Sequence, residues 1–528
     1  MAKKKKKSIP LRKDIEELKE RQLLTKDENR QKAVEKRHAL GKRTARENIA
    51  DLCDPGSFQE IGSLIVAGQK GRTSIDELRK NTPADGLICG LATVNARDFS
   101  FNTHCYVLSY DYTVLAGTQG AFGHKKTDRM MAIAQKKPHP IVFFVEGGGG
   151  RPGDIDFNSI ATGGLDLSTW ASFARLSGTV PRMAIVGGYC FAGNAAIAGC
   201  ADVIIATQDS TMGMGGPAMI EGGGLGVYPP NEIGPTALLA KNGVVDLIAK
   251  NESDAVALAK KYLGYFQGET KQWNAHPQEK LYEIIPEDRR YAYSVQKIID
   301  VLADQDSVLE LRKEFAKNIC TALIRMEGKP IGVIANSTQH LGGAIDSDAA
   351  DKAARFLQLC DAFGLPVLVL CDTPGFMVGP EHEQKGLIRH ASRLFLAAAS
   401  LDVPLVTVVL RKAYGLGAMA MAGGSFHQSF LTLAWPSGEF GAMGLEGAVK
   451  LGFKKELEAA KNETEKNQRY TALVEQAYEK GKAINAAETF EFDEVIDPTM
   501  TRNRIATALA FCENKSQKKP QKRYIDSW

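Results

Sequence analysis

The chain holds 528 residues, 44% hydrophobic and 24% charged, and its 66 basic and 62 acidic side chains leave a formal net charge of +4. That length exceeds what one hydrophobic core supports, so two domains of roughly 200 to 250 residues are expected. The balanced charge and ordinary apolar content imply neither a nucleic-acid binder nor a disordered chain. Nine cysteines lie far apart, with no C-x-x-C pair and no metal-ligand spacing, which points to a reducing compartment and no metal.

The chain opens on a basic run, Lys3 to Lys7, set in charged, helix-like sequence through about Arg37. A solvated tail is the plainer reading of these charges; a nucleic-acid or membrane contact is the alternative. Neither a secretory signal nor the ~18 uninterrupted apolar residues of a membrane span is present, so a cytoplasmic protein is expected.

From about Asp85 onward, apolar runs ending in glycine alternate with helix-periodic stretches, the pattern of an α/β fold. Residues 141–145 run into Glu146-Gly147-Gly148-Gly149-Gly150, and residues 367–370 into Thr373-Pro374-Gly375-Phe376. The strand expected after Pro181 reaches Gly187-Gly188-Tyr189, and the one after Pro404 reaches Arg411-Lys412-Ala413-Tyr414. The spacing between these sets is nearly constant. Gly117 to Gly343, Lys126 to Lys352 and Pro140 to Pro366 each differ by 226, Pro181 to Pro404 by 223 and Gly193 to Gly417 by 224. Such self-similarity marks an internal duplication. Residues 245–266 read as an amphipathic helix and 267–290 as a polar connection. The expected division is a basic helical extension over 1–40 and domains over 41–280 and 281–528.

Residues 188–202 place small side chains where a strand turns into a helix, and free N–H groups there stabilise negative charge. Glycine at such a turn lets an oxygen approach to about 3 Å. Close packing of helix on strand asks for glycine too, but the second copy, Tyr414-Gly415-Leu416-Gly417-Ala418, favours two polarising turns. The nine histidines form no H-E-x-x-H and no readable Ser-His constellation. Glycine clusters over 213–226 and 438–447 lack the downstream acid of a dinucleotide site and read as pocket loops. The Gly-Gly-Gly-Gly-Arg of residues 147–151 superficially resembles an ATP-grasp nucleotide loop, but the rest of that fold is missing.

Gly188-Tyr189 through Gly193 to Asp202 resembles the turn and helix of the crotonase superfamily. Several motifs resemble the carboxyltransferase (beta) subunits of biotin-dependent acyl-CoA carboxylases, in order from about residue 40 to 525. In the first half they are residues 41–49 and 111–120, followed by Lys125 and Lys126. In the second they are Asp372-Thr373-Pro374-Gly375-Phe376-Met377-Val378-Gly379, Glu383 and Arg411-Lys412-Ala413-Tyr414-Gly415.

The resemblance implies an α/β fold of two tandem crotonase-like domains and transfer of CO2 from carboxybiotin to an acyl-CoA through an enolate. It implies that the Ala192 and Gly193 amides hold the thioester oxygen and those of Leu416 and Gly417 the biotin ureido oxygen. Gly375, Phe376, Tyr414 and Gly415 fall around biotin. Lys125, Lys126, Gly148, Gly149 and Arg151 are the CoA candidates, with a solvated surface pair as the plainer reading of the two lysines and a structural turn arginine as the other reading of Arg151. The basic ureido nitrogen takes the α-proton, so no side-chain base is required.

A biotin-bearing Met-Lys-Met, an ATP-grasp domain and a four-cysteine zinc ribbon are all missing. A partner with biotin carboxylase and biotin carrier functions is implied, as is a homo-hexamer with active sites across dimer interfaces. Residues 146–154 depart from the family's D-S-G-G-A-R turn, and Met419 stands where propionyl-type enzymes carry an acid. With the Tyr-Gly-x-Gly of residues 414–417, which resembles methylcrotonyl-type enzymes, this opens branched, unsaturated or longer acyl groups. A biotin-dependent decarboxylase subunit of the glutaconyl-CoA type and a non-catalytic acyl-CoA-binding scaffold are the competing readings.

Overall fold

Strand β4 (Ile141–Phe144) is buried along its whole length, as a strand covered by helices on both faces must be, and it sits at the centre of the first of two large sheets. The computed structural model describes residues 11–151, 153–156, 165–512 and 524–528. The Lys3 to Lys7 run and Pro152 of the glycine loop lie outside them.

The first sheet runs in the order β1 (Gln59–Ile61), β2 (Leu87–Thr93), β3 (His104–Tyr110), β4, β5 (Arg182–Val186), β7 (Val203–Thr207) and β9 (Leu247–Ala249), with β6 (Tyr189–Phe191) paired to β8 (Thr211–Gly213) alongside it. The second runs β10 (Leu309–Leu311), β11 (Ile319–Met326), β12 (Lys329–Asn336), β13 (Val367–Thr373), β14 (Leu405–Tyr414), β15 (Leu431–Ala434) and β17 (Glu494–Val495), and β16 (Glu439–Gly441) pairs with the end of β14. In each sheet the first three strands are antiparallel and the rest parallel. The expected α/β architecture is thus formed twice.

The pairings repeat residue by residue. Tyr106 faces Ile141 across β3–β4, and Gly332 faces Val367 across β12–β13, a spacing of 226 on both strands. Ile141 then faces Arg182, and Val367 faces Leu405, so the spacing falls to 223 in the next strand. The three missing residues lie in the connection between β13 and β14. The 223 spacing persists on this strand through the turn: Phe191 and Tyr414 are each its last paired residue, with partners Gly213 and Gly441 that are 228 apart, and the positive φ angles fall on Ala192 (50°) and Gly415 (55°). Gly193 therefore corresponds to Leu416 and Asn194 to Gly417, which corrects the 224 spacing read from the glycines alone.

Residues 245–266 are not one helix. Leu247–Ala249 pairs with β7 as a strand, and the helix starts at Glu252, after Asn251 accepts a hydrogen bond from the Asp254 N–H.

The halves share apolar core. Tyr262 is fully buried between them, and Phe266 meets Phe363 edge-on at 5.2 Å. The final residues, 524–528, lie across the seam. The backbone of Ile525 exchanges hydrogen bonds with the Ser177 hydroxyl of the first half, while Arg355 and Arg393 of the second hold Asp526 and Arg312 holds the Ser527 carbonyl. At the other end, helices Lys13–Leu23 and Gln31–His38 are pinned to the first half by Arg30 on Asp111 (2.8 Å) and Arg37 on Glu146 (2.9 Å). Among the described residues, no helix is long and apolar enough to cross a membrane.

Candidate active site

β4 leads the chain into the glycine loop, residues 147–151, where four of the five backbone N–H groups have an acceptor. Gly147 donates to the Tyr189 carbonyl (2.7 Å), Gly148 to Ala116 (3.2 Å), Gly149 to the Asn194 side-chain oxygen (3.0 Å) and Arg151 to Gln119 (3.0 Å). Gly150 is the exception: its N–H has no acceptor among the described residues. Nearby, β6 turns into helix Gly193–Gly199, whose first N–H likewise has no acceptor among them. A Cβ on Gly193 would lie 2.0 Å from the Gln119 side-chain oxygen and 3.0 Å from the Trp170 ring, so a larger residue there displaces Gln119. Gly150 and Gly193 line one cleft of about 290 Å³ with Gln119, His124, Leu167 and Trp170.

Ala192, expected to share the polarising role, does not have a free amide. Its N–H donates to the Gly213 carbonyl at 2.9 Å, the bond that continues the β6–β8 pairing. The free pair is Gly150 with Gly193. Gly150 was missed in the sequence, although subtracting the internal spacing of 226 from Phe376 leads to it.

The second half repeats the geometry. The isolated bridge Gln119–Gly150 has its copy in Ile345–Phe376, again 226 apart. Ile345 donates to the Gly375 carbonyl and Met377 to that of Ile345, leaving the Phe376 N–H without an acceptor among the described residues. The Leu416 N–H, first after the positive-φ Gly415, is free in the same sense. The N–H of Gly417, paired with Leu416 in the sequence reading, also has no acceptor among the described residues, and a Cβ on it would lie 2.6 Å from the Gly375 Cα, so its bareness lets loop and helix touch. Tyr414 turns inward rather than lining the turn. It is buried, and its hydroxyl donates to Glu439 at 2.9 Å. A cavity of about 520 Å³ opens beside Gly415, lined by Met419, Phe426, Phe440, Ala442 and Asn485.

Three CoA candidates fall away from that role. Lys126 is buried, and its ammonium donates to the carbonyls of Ala84 (3.1 Å) and Leu87. Its duplicate, Lys352, does the same for Phe315 and Ile319, both at 2.7 Å, and burial lowers the pKa of both amines. A lysine repeated in both halves with its charge on interior carbonyls is a structural cap. Arg151 is held by Asp85 (2.5 Å), Asp154 and the Thr118 hydroxyl and carbonyl, with its side chain 5% exposed, so it is the turn arginine. Gly149 has its N–H engaged and Gly148 offers only its exposed surface. Lys125 is exposed on the same helix, its ammonium 5.4 Å from the Phe122 ring.

Beneath each loop sits an anchored acid. Glu146 is buried; burial pushes its pKa up while Arg37 pulls against the rise. Its counterpart Asp372 holds Arg411 (3.1 Å), Lys412 (3.0 Å) and the Tyr293 hydroxyl (2.7 Å). Burial also lowers the pKa of His124, which shares a 2.9 Å hydrogen bond with Thr169, and leaves the ring neutral at pH 7.

The sequence profile of the carboxyl transferase domain matches residues 36–525. The methylmalonyl-CoA carboxyltransferase 12S subunit of Propionibacterium freudenreichii subsp. shermanii is 33% identical over 524 residues, covering 97% of this chain and 96% of that protein. The propionyl-CoA carboxylase beta chain of Roseobacter denitrificans is 32% identical over 522 residues, with 97% and 98% covered. Among solved structures, the transcarboxylase 12S hexamer with methylmalonyl-CoA bound superposes with a TM-score of 0.84 at 31% identity, covering 99% of this chain and 100% of that one. A single-chain, multi-domain long-chain acyl-CoA carboxylase gives a TM-score of 0.89 at 54% identity over 94% of this chain, which spans about half (49%) of its length.

Proposed function

Because the chain belongs to the carboxyl transferase family, we propose that its two polarising turns divide the work of one CO2 transfer, Gly150 and Gly193 serving the acyl-CoA, Phe376 and Leu416 serving biotin. It is the carboxyltransferase component of a biotin-dependent acyl-CoA carboxylase. The observation that carries the division is the matched pair of amides, each without an acceptor among the described residues, at duplicated places in one chain.

Two N–H groups converging on a thioester oxygen stabilise the negative charge it gains as the α-carbon becomes an enolate, and their rigid mounting avoids reorganisation during the step. Phe376 and Leu416 offer the same chemistry to a ureido carbonyl. Biotin, carried on a partner chain, supplies the CO2 and a nitrogen basic enough to take the α-proton. The titratable groups of the first cleft are otherwise engaged, Arg151 with Asp85 and Asp154, and His124 with Thr169. Lys125, exposed on the helix Ala121–Lys136, is the residue proposed to meet a CoA phosphate as a point charge.

The substrate is a long-chain acyl-CoA on this reading. Identity to the long-chain carboxylase, 54%, far exceeds the 32% to the propionyl-CoA enzyme, and Met419 places an apolar side chain in the cavity beside the second turn. The active unit is a homo-oligomer in which the first half of one copy meets the second half of another, in keeping with the hexamer formed by transcarboxylase 12S.

The test is CO2 transfer from carboxylated acyl-CoAs of two to sixteen carbons to free biotin. The wild type is expected to favour the long chains, and Gly193→Val to lower kcat by about 100-fold or more on all of them. A folded Gly193→Val with wild-type turnover removes the acyl-CoA assignment, and a preference for short chains removes the substrate.

A further inference from the structure

Asn194 is fully buried, and its carboxamide lies between the two elements that carry the first pair of amides. Its oxygen accepts from the Gly149 N–H at 3.0 Å, one residue before the free Gly150 amide. Its nitrogen points to the Gly117 carbonyl at 3.4 Å and sits so close to Gly147 that a Cβ there would be 2.4 Å away. Its own backbone follows Gly193 in the helix. One side chain thus touches the loop at Gly147 and Gly149, and Gly117 beside it, while being rooted next to the other donor.

At the duplicated position stands Gly417, where loop and helix meet backbone to backbone. The second pair of amides is spaced by direct contact; the first is held apart by a side chain. We propose that Asn194 is the positioning residue that sets the separation of the Gly150 and Gly193 amides. It touches no substrate, and it acts by fixing where the loop stands. The inference rests on the acyl-CoA reading of that amide pair.

Asn194→Ala removes both the spacer and the acceptor for Gly149, while Asn194→Ser leaves a hydroxyl able to accept. Both are assayed by transfer from 2-carboxypalmitoyl-CoA to free biotin, alongside binding of palmitoyl-CoA and of a CoA-linked nitronate, whose charged oxygens mimic an enolate. Asn194→Ala is expected to lower kcat and nitronate affinity together by about 10- to 100-fold, because a displaced donor loses alignment with the developing charge. KM and palmitoyl-CoA affinity stay within about two-fold, and Asn194→Ser falls between Ala and wild type. An equal fall in ground-state and nitronate binding, wild-type kcat in Asn194→Ala, or loss of structure in both variants overturns the proposal and leaves Asn194 a packing residue. Gly193→Val in the same assay separates the two readings. If it is inactive while Asn194→Ala is fully active, only the positioning role falls; if it too is active, the acyl-CoA assignment falls with it.

Discussion

Ala192 holds φ 50° and ψ −121°, a backbone conformation that costs a residue with a Cβ about 1 to 3 kcal/mol, and the equivalent position in the second half is Gly415. The strain persists because the Ala192 N–H is fixed to Gly213 and its carbonyl accepts from Ala196 as the next helix begins. Ala192→Gly is therefore expected to raise the unfolding free energy by about 1 kcal/mol, seen as a higher melting temperature; a fall would show that the Cβ contact with Gly149 matters more than the strain. That the turn polarises something was legible in its paired small residues. Which amide is free was not, because availability depends on hydrogen bonds made to β8 and to the Gln119 bridge, neither of which leaves a trace in residue type. Proximity in sequence singled out Ala192 and passed over Gly150, forty-three positions from Gly193 yet lining the same cleft.

The helices Ala121–Lys136 and Ser347–Ala362 each carry one lysine inward, and the second shows what that does to stability. Burial lowers the Lys352 pKa to about 8 from its ordinary 10.5. Between those values the unfolded chain holds a proton that the folded chain has released, so the stability that depends on this residue rises with pH across about 8 to 10.5. Lys352→Met cannot titrate and leaves the Phe315 and Ile319 carbonyls without their donor, a loss of about 1 to 3 kcal/mol. Urea unfolding is expected to show the wild type gaining on Lys352→Met as pH rises through that window; a gap independent of pH would contradict the lowered pKa. In sequence, Lys126 beside Lys125 looked like a phosphate-binding pair. Its burial follows from the packing of its helix against Ala84 and Leu87, and the lysine 226 residues later was the available clue that the role is structural.

For the whole molecule, the alternation of apolar runs and glycine turns made the α/β class readable, and the repeated spacing made the duplication readable. The drop from 226 to 223 was visible too, but only the pairing of β4 with β5 and of β13 with β14 shows where it falls, between those strands. If one copy supplies Gly150 and Gly193 and another supplies Phe376 and Leu416, two defective chains can mend each other. Gly193→Val blocks the first turn, and Gly417→Val drives a side chain into Gly375 at the second. Each variant alone is expected to be inactive, and co-expression of the two to restore activity to about a quarter of wild type or more, measured as transfer to free biotin. Activity that stays absent in co-purified mixed oligomers would place both turns of a working site in one copy.

The contrast between Asn194 and Gly417 also bears on how such a chain can change over generations. A gap filled by one carboxamide can be resized by a single codon change, whereas no amino acid smaller than glycine exists to resize its counterpart. Point substitution can retune the first half from within, while the second can be altered only through what surrounds it, such as the side chains at Met419 and Phe440. Two copies that began alike thus face unequal opportunities for later divergence.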